Sequence, residues 1–186
     1  MARFASMTGR IIIVSGPPGA GKTTVARLLA EQTSRPRAVH LHTDDFYAYI
    51  RKGYIEPWRV EAHPQNITIA NALSAAAERY AESDFEVLVD GVVGPWLIEP
   101  WISLGKSGCD VRFVVLRPDE SSTVARATAR THPNAMRDES IARTMWKHFS
   151  NLQAYEGHVV DTTGEPVGDT VARLESDLAS GRFRLA

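Results

Sequence analysis

Cysteine is almost absent from this sequence of 186 residues, which contains only Cys109. A single cysteine cannot form an internal disulfide, and it provides no spaced pair of thiols for a metal site. Net charge is also nearly absent, because 21 Lys and Arg side chains balance 22 Asp and Glu side chains and leave a formal charge of −1. Such a balance gives no global attraction to nucleic acid or to an anionic membrane, so neither is expected as a partner.

The sequence also lacks a long apolar run. The N-terminal run Ile11–Val14 has four residues, whereas a secretory leader needs about 7–15 apolar residues and a membrane span about 18. Together with the lone thiol, this predicts a soluble protein of the reducing cytoplasm. No repeat, low-complexity tract or Pro/Gly/Ser-rich linker divides the chain, so we expect one domain over residues 1–186. Nothing in the sequence indicates the oligomeric state.

Short runs of β-branched residues alternate with longer helical patterns along the chain. Apolar runs without polar alternation are typical of strands buried on both faces of a parallel sheet. The runs that predict strands are Ile11–Val14, Val39–His42, Val87–Val89, Val111–Leu116 and Val159–Val160. The patterns that predict helices are Lys22–Gln32, Asn66–Ala81, Asp119–Arg130, Asp138–Tyr155 and Val167–Ala179. This alternation predicts an α/β fold with a mostly parallel sheet.

A glycine-rich segment directly follows the first predicted strand. It matches the pattern G-x-x-x-x-G-K-[ST] and opens a predicted helix, which is the context that a phosphate-binding loop requires. Glycines let successive backbone N–H groups point at phosphate oxygens, and the start of the helix favours the same anion. Lys22 is expected to reach the β- and γ-phosphates, and the Thr23 hydroxyl to ligate Mg²⁺. The predicted nucleotide-binding residues are Gly16, Pro17, Pro18, Gly19, Ala20, Gly21, Lys22, Thr23 and Thr24.

Acidic residues follow the second and third predicted strands. The carboxyl ends of parallel strands open onto one crevice, so Asp44 and Asp45 are expected near the γ-phosphate. Phosphoryl transfer to an alcohol needs a carboxylate that accepts the hydroxyl proton, and Asp44 is the preferred candidate, although either acid could instead cap a helix. Asp90 closes the run that begins at Val87, which is the Walker-B pattern for holding Mg²⁺, and Gly91 then allows close approach of the backbone.

Arg126 and Arg130 lie one helical turn apart after the fourth predicted strand. Residues at i and i+4 share a helix face, so both guanidinium groups could reach one phosphate chain. A closing lid with arginines would stabilise the transferring phosphoryl group and exclude water, with Arg130 preferred to Arg126; a solvated basic face is the alternative. Thr163, in the polar turn after the last predicted strand, is expected either to contact the nucleotide base or only to help cap the last helix.

Together these residues resemble the small P-loop kinases of the adenylate kinase type, in particular gluconate, shikimate and uridine kinases and chloramphenicol phosphotransferase. The resemblance implies a three-layer P-loop NTPase fold with a five-stranded parallel sheet in the order 2-3-1-4-5, flanked by helices, and a short lid at about residues 126–140. It also implies ATP as the phosphoryl donor. The segment from Asp44 to Tyr47 is similar to that of uridine-type kinases, whose first aspartate serves as the base. The segments that carry the resemblance are Gly16–Thr24, Asp44–Tyr47, Val87–Gly91, Arg117–Arg130 and Asp161–Pro166.

The segment after the third predicted strand departs from one pattern in this group. Nucleoside monophosphate kinases commonly have Asp-Gly-x-Pro-Arg there, and the arginine grips the acceptor phosphate. Here Trp96 follows Pro95, and an apolar ring cannot neutralise a phosphate. A monophosphate acceptor is therefore disfavoured, although Arg51 and Arg59 could compensate.

Aromatic side chains are concentrated in the two segments expected to form the acceptor site, at about residues 46–66 and 91–104. Their faces suit a ring or apolar acceptor and their polar groups can orient it, although aromatic residues also pack loops onto a core. The residues in these segments are Phe46, Tyr47, Tyr49, Tyr54, Trp58, His63, Trp96 and Trp101. The predicted acceptor contacts are Asp45, Phe46, Tyr47, Tyr54, Trp58, Gly91 and Trp96.

The sequence thus predicts an ATP- and Mg²⁺-dependent kinase that transfers the γ-phosphoryl group to a hydroxyl of a small molecule. A nucleoside monophosphate kinase of the cytidylate type is the alternative enzyme. A nucleotide-regulated binding module with little catalysis is the alternative outside the enzymes. The near-neutral charge argues against a polynucleotide kinase, and the sequence does not identify the acceptor.

Overall fold

Five parallel strands form the central sheet. This computed structural model describes residues 9–129 and 137–185. The strands are β1 (Arg10–Ser15), β2 (Ala38–His42), β3 (Glu86–Asp90), β4 (Asp110–Leu116) and β5 (Val159–Val160). Their spatial order is β2-β3-β1-β4-β5, and every neighbouring pair is parallel. The predicted P-loop NTPase fold with strand order 2-3-1-4-5 is confirmed.

Seven α-helices within the described ranges flank this sheet. They are α1 (Lys22–Gln32), α2 (Thr43–Ala48), α3 (His63–Glu82), α4 (Glu99–Lys106), α5 (Glu120–Thr128), α6 (Glu139–Phe149) and α7 (Val167–Ala179). The sequence did not predict α2 or α4, because helices of 6 and 8 residues are too short to show a clear apolar period. None of the helices in the described ranges has the length and apolar character needed to cross a membrane.

Two predicted helix boundaries are wrong. Helix α3 begins at His63 rather than Asn66. Pro64 lies in its first turn, where a backbone N–H has no partner within the helix, so proline costs no hydrogen bond there. The helix predicted to reach Tyr155 ends at Phe149, and a 3₁₀-helix follows over Gln153–His158. The predicted helix was too long because the apolar pattern continues to Leu152, which lies after the end of α6 and is also buried.

The core forms two apolar layers on opposite faces of the sheet. Alternate residues of β1 belong to different layers, as expected for a strand whose side chains alternate. Ile11 and Ile13 pack with residues of α3 and α4, whereas Ile12 and Val14 pack with residues of α1 and α7. All four side chains are buried. Burial on both faces explains why the strand sequences are continuously apolar rather than alternating.

The carboxyl ends of the strands position the site. Strand β1 pairs with β3 on one side and β4 on the other, so the strand order reverses around it and the chain leaving β1 enters a crevice. In the register of the sheet, Val14 lies beside Asp90, and Asp90 lies beside His42. The ends of β1, β3 and β2 therefore bring the glycine-rich loop, Asp90 and His42 together.

Candidate active site

The glycine-rich loop between β1 and α1 depends on backbone conformations that only glycine adopts readily. Gly16, Gly19 and Gly21 have φ values of 141°, 89° and 90°. A Cβ on Gly16 would lie 2.2 Å from the Leu116 carbonyl oxygen, and a Cβ on Gly19 would lie 2.2 Å from the Thr123 carbonyl oxygen. The loop is thus held tightly between β4 and α5, and it leads directly into the start of α1, where anions bind favourably.

Lys22 is the first residue of α1, and its side chain folds back onto the loop. Its Nζ donates a hydrogen bond of 2.9 Å to the Pro17 carbonyl oxygen. The side chain is buried, yet it lines the central cavity of the site. This position places a fixed positive charge beside the loop amides, as phosphate binding requires.

Asp90 is the most constrained carboxylate of the site. It is completely buried at the end of β3, and its Oδ2 accepts a hydrogen bond of 2.6 Å from the Thr23 hydroxyl. Its Oδ1 lies 2.7 Å from His40 Nε2 and 2.9 Å from His42 Nδ1. Burial alone would raise the pKa of Asp90, but the hydrogen bonds from His40, His42 and Thr23 hold the pKa well below its usual range. Asp90 is therefore an anion at neutral pH.

His42 connects Asp90 to the acid that follows β2. Its Nδ1 faces Asp90, and its Nε2 lies 3.5 Å from Asp44 Oδ2. The hydrogen bond to Asp90 is the main reason that the pKa of His42 is raised, against the opposing effect of burial. Sequence reasoning missed the roles of His40 and His42, because they depend on the pairing of β2 with β3.

Asp44 and Asp45 lie in the first turn of α2 and differ sharply from Asp90. The Asp44 side chain is 79% exposed, and both carboxylates line the cavity. No side chain caps the start of α2, so the two acids are not engaged in the capping that was the alternative interpretation. The ends of β3 and β2 thus give the site one buried, fully hydrogen-bonded carboxylate and two open ones.

Two close contacts fix the segment that follows β3. The Thr43 hydroxyl donates to the Asp90 carbonyl oxygen at 2.6 Å, and a Cβ on Gly91 would lie only 2.1 Å from that hydroxyl. Ser15 Oγ donates to the Val93 carbonyl oxygen at 2.6 Å and accepts from the Val93 N–H at 3.0 Å. Gly91 is therefore required for the close approach of the segment to the start of α2.

The loop after α2 is held by the first turn of α3. Gln65 accepts a hydrogen bond from the Ile55 N–H at 3.0 Å and donates to the Ile55 carbonyl oxygen at 2.7 Å. Asn66 accepts from the Tyr47 hydroxyl at 2.9 Å and donates to the Pro57 carbonyl oxygen at 2.8 Å. Burial raises the pKa of Tyr47, with smaller contributions from Asp44 and Tyr54. Sequence reasoning did not identify either amide side chain.

A cavity of about 1830 Å³ brings most of the predicted residues together. Its walls come from the glycine-rich loop, α2, the loop that follows it, α3, the segment after β3, α5 and α6. The predicted residues that line it are Pro18, Gly19, Gly21, Lys22, Thr23, Thr24, Asp44, Asp45, Tyr47, Tyr54, Trp58, Asp90, Gly91, Trp96 and Arg126.

A few predicted residues do not line the cavity. Gly16, Pro17 and Ala20 lie within the loop itself, and the Ala20 N–H donates to the Pro17 carbonyl oxygen at 3.2 Å. Phe46 packs instead against the core. The Thr163 hydroxyl accepts from the Asp119 N–H at 2.8 Å and donates to Asp161 at 2.6 Å, so it stabilises a turn. The contact of Thr163 with a base remains a prediction.

Trp96 both lines the cavity and packs on its neighbours. Its ring lies edge-on to Phe149 and His148, with centroid distances of 5.5 and 5.8 Å. A Cβ on Gly94 would lie 2.3 Å from the ring, so glycine is needed beneath it. Trp101, the next tryptophan, is fully buried in the core. The packing interpretation therefore holds for Trp101, whereas Trp96 both packs and lines the cavity, and its contact with an acceptor remains a prediction.

Of the two predicted lid arginines, the structure describes one. Arg126 lies on α5, is exposed, lines the cavity and forms no ion pair with any residue in ranges 9–129 and 137–185. Arg130 lies outside the described residues, as does part of the predicted lid at 126–140. Helix α6 contacts α5 and the segment before it. Arg143 pairs with Glu120 of α5 at 2.9 Å, and Trp146 donates a hydrogen bond to the Pro118 carbonyl oxygen at 2.9 Å.

Comparison with known proteins identifies a matching family. Residues 11–152 match the family AAA_33, described as an AAA domain. A protein of Archaeoglobus fulgidus named cytidylate kinase is 26% identical over 148 residues, which are 75% of this chain and 76% of the relative.

Solved structures of small-molecule kinases share the fold. Shikimate kinase from Acinetobacter baumannii, in complex with shikimate, is 22% identical with a TM-score of 0.64 and covers 94% of this chain and 96% of its own. A gluconokinase from Sinorhizobium meliloti 1021 is 21% identical with a TM-score of 0.58 and covers 95% of this chain and 99% of its own.

Proposed function

The chain belongs to the AAA_33 family of AAA domains, and from this premise we propose that it is a P-loop kinase that transfers the γ-phosphoryl group of ATP to a hydroxyl of a small molecule. The observation that carries the proposal is the contrast between its carboxylates. Asp90 is buried and hydrogen-bonded to the Thr23 of the phosphate loop, whereas Asp44 is open to the same cavity. A buried carboxylate beside the phosphate loop suits metal binding, and an open carboxylate in the same cavity suits acceptance of a hydroxyl proton.

Residues suited to a magnesium ion lie beside the loop. Thr23 and Asp90 both line the cavity and are bonded to each other, and their hydroxyl and carboxylate oxygens are the ligand type that Mg²⁺ prefers. When bound, the ion would neutralise charge on the phosphate chain. We assign Thr23 and Asp90 as the side chains that would hold the magnesium ion. His40 and His42 are the groups that orient Asp90.

The other groups of the site bind the triphosphate, transfer the proton and hold the acceptor. The loop amides and Lys22 hold the triphosphate, and Arg126 stabilises the negative charge that spreads over the transferring group. Asp44 accepts the hydroxyl proton as the hydroxyl oxygen bonds to the γ-phosphorus. The bond between that phosphorus and the β–γ bridging oxygen breaks, so ADP and a phosphate ester leave. The loop clamped by Gln65 and Asn66 holds the acceptor.

The surroundings of Arg59 support an acceptor without a phosphate. Arg51 is not among the lining residues, and Arg59 lies between Glu56 at 3.8 Å and Glu61 at 3.5 Å. The guanidinium of Arg59, the candidate to replace the arginine whose place Trp96 takes, is thus already paired with carboxylates. The A. fulgidus relative named cytidylate kinase favours the monophosphate alternative, for which Arg59 would have to leave these partners.

A screen for ADP formation tests the proposal and its alternatives. The protein is incubated with MgATP and separate pools of nucleosides, nucleoside monophosphates, sugars, sugar acids and hydroxyl-bearing antibiotics. ADP formation that depends on Mg²⁺ and on an unphosphorylated alcohol is the expected result. Stimulation only by monophosphates would establish the cytidylate-type alternative. Slow ATP loss that no pool accelerates, together with a nucleotide-dependent protein partner, would establish the binding module.

A further inference from the structure

The acceptor side of the cavity has an excess of negative charge. Asp44, Asp45 and Glu56 line this side, and Arg59 is its one arginine or lysine among the described residues. Arg59 is shared between Glu56 and Glu61, as given above. Three carboxylates against one guanidinium leave a formal excess of two negative charges on this wall, or of one when His42, which faces Asp44, is protonated.

The other cations of the cavity belong to its phosphate side. Lys22 is bonded to the loop carbonyl of Pro17. Arg126 lies on α5, the helix whose Thr123 carbonyl oxygen and Ala127 N–H border Gly19. Both cations are therefore placed to meet a triphosphate, whose own negative charge they offset. They leave the charge of the acceptor wall uncompensated.

Aromatic rings line the same wall as the carboxylates. Trp58 and Trp96 are 41% and 42% exposed, so part of each ring is accessible. Tyr54 lies close enough to Glu56 and Asp44 that both carboxylates add to the effect of burial in raising its pKa. The faces of aromatic rings carry partial negative charge and attract cations, with tryptophan the strongest. Rings and carboxylates on this wall thus favour the same kind of ligand.

We infer that the acceptor is a hydroxyl compound that carries a positive charge next to a ring or other apolar group. The inference rests on the proposed kinase function and specifies its substrate class. The aromatic rings contact the apolar part and the cation, the carboxylates of Asp45 and Glu56 attract the charge, and Asp44 meets the hydroxyl. Anionic alcohols, including sugar acids and monophosphates, are repelled by the same wall.

Three alcohols of similar shape and different charge test this inference. The probes are 3-methylbenzyl alcohol, which is neutral, the cation N-methyl-3-(hydroxymethyl)pyridinium, and the anion 3-(hydroxymethyl)benzoate. Binding to the protein saturated with a non-hydrolysable ATP analogue and Mg²⁺ is measured by titration calorimetry. We expect the cation to bind about tenfold more tightly than the neutral probe and the anion about tenfold more weakly. Equal binding of the three, preference for the anion, or binding of none overturns the inference.

Variants that remove a negative charge provide a second, independent test of the inference. Glu56→Gln is expected to reduce the preference for the cation over the neutral probe by about threefold. Glu31→Gln, at an exposed ion pair on α1, is the control and leaves the preference unchanged. An unchanged preference in Glu56→Gln would overturn the role of this carboxylate.

Failure of the inference is distinguishable from failure of the kinase proposal. If an anionic alcohol is phosphorylated best in the ADP screen, the inference is wrong and the kinase stands. If no alcohol is phosphorylated but the pyridinium probe is still preferred in calorimetry, the charge preference of the wall stands and the kinase proposal fails.

Discussion

The buried carboxylate of Asp90 should contribute measurably to folding through its charge. Asp90 accepts three hydrogen bonds, from His40, His42 and Thr23. In Asp90→Asn, the amide oxygen can still accept from both imidazoles, and the Thr23 hydroxyl can rotate to accept from the amide NH₂. The variant therefore keeps its hydrogen bonds but loses their ionic character, so its effect isolates the charge.

The magnitude follows from two opposing effects. Hydrogen bonds to charged groups exceed neutral ones by about 1 kcal/mol each, so three of them are worth about 3 kcal/mol. Removing the charge also relieves its desolvation, which returns part of that energy. We expect a net loss of about 1–2 kcal/mol in the free energy of unfolding, which lowers the Tm of a chain of this size by about 3–6 °C.

Urea unfolding in EDTA measures this loss without a contribution from bound magnesium. Asp45→Asn is the matched control, because Asp45 is exposed and in the described structure caps no helix; it should change the free energy of unfolding by less than about 0.5 kcal/mol. An Asp90→Asn variant as stable as the native protein would refute the reasoning, because desolvation would then outweigh the hydrogen bonds.

The charge on Asp90 also predicts that its contribution to the free energy of unfolding falls at low pH. The pKa of Asp90 is lowered from its ordinary value of 3.8 in the folded state. Its contribution is therefore fully present above about pH 4 and is lost as the pH falls through the lower folded-state pKa. Between pH 7 and pH 2 the native protein should lose its stability advantage over Asp90→Asn. An advantage that stays constant down to pH 2 would mean that the folded-state pKa of Asp90 is not lowered.

Three further variants test other parts of the site. Gly19→Ala should weaken ATP binding by at least about tenfold in calorimetry, because the φ of 89° and the 2.2 Å contact both oppose a Cβ. Gln65→Ala should raise the acceptor KM by about tenfold with little change in kcat, and Gln65→Glu, which keeps only the bond from the Ile55 N–H, should fall between. Arg126→Ala should lower kcat by about 100-fold, whereas Arg27→Ala on the surface of α1 should not. Unchanged ATP affinity in Gly19→Ala, or equal effects of either other variant and its comparison, would contradict these assignments.

Much of the phosphate side could be predicted from the sequence because its signals are local. The glycine spacing, the adjoining strand and the helix that Lys22 opens are contiguous, and their order along the chain specifies the loop. The position of Asp90 at the end of an apolar run is similarly local. The parallel sheet followed from alternating patterns, and its strand order from the family resemblance.

The acceptor side could not be predicted in the same detail because its contacts are non-local. The contact of His40 with Asp90 depends on the register of β2 against β3, across 50 residues of sequence. The clamp by Gln65 depends on where α3 begins, which was predicted three residues too late. The difference between Asp44 and Asp90, one open and one buried, is a property of packing that two strand-end aspartates do not reveal.

The most direct test of the central claim is the effect of Asp44→Asn on phosphoryl transfer. Single-turnover formation of the phosphate ester is measured with MgATP and the acceptor found in the ADP screen, and ATP affinity is measured in parallel. We predict that Asp44→Asn lowers the transfer rate by about 100-fold or more with ATP affinity unchanged, while Asp45→Asn lowers the rate by less than about fivefold. A transfer rate in Asp44→Asn within about threefold of the native rate would contradict the assignment of Asp44 as the base.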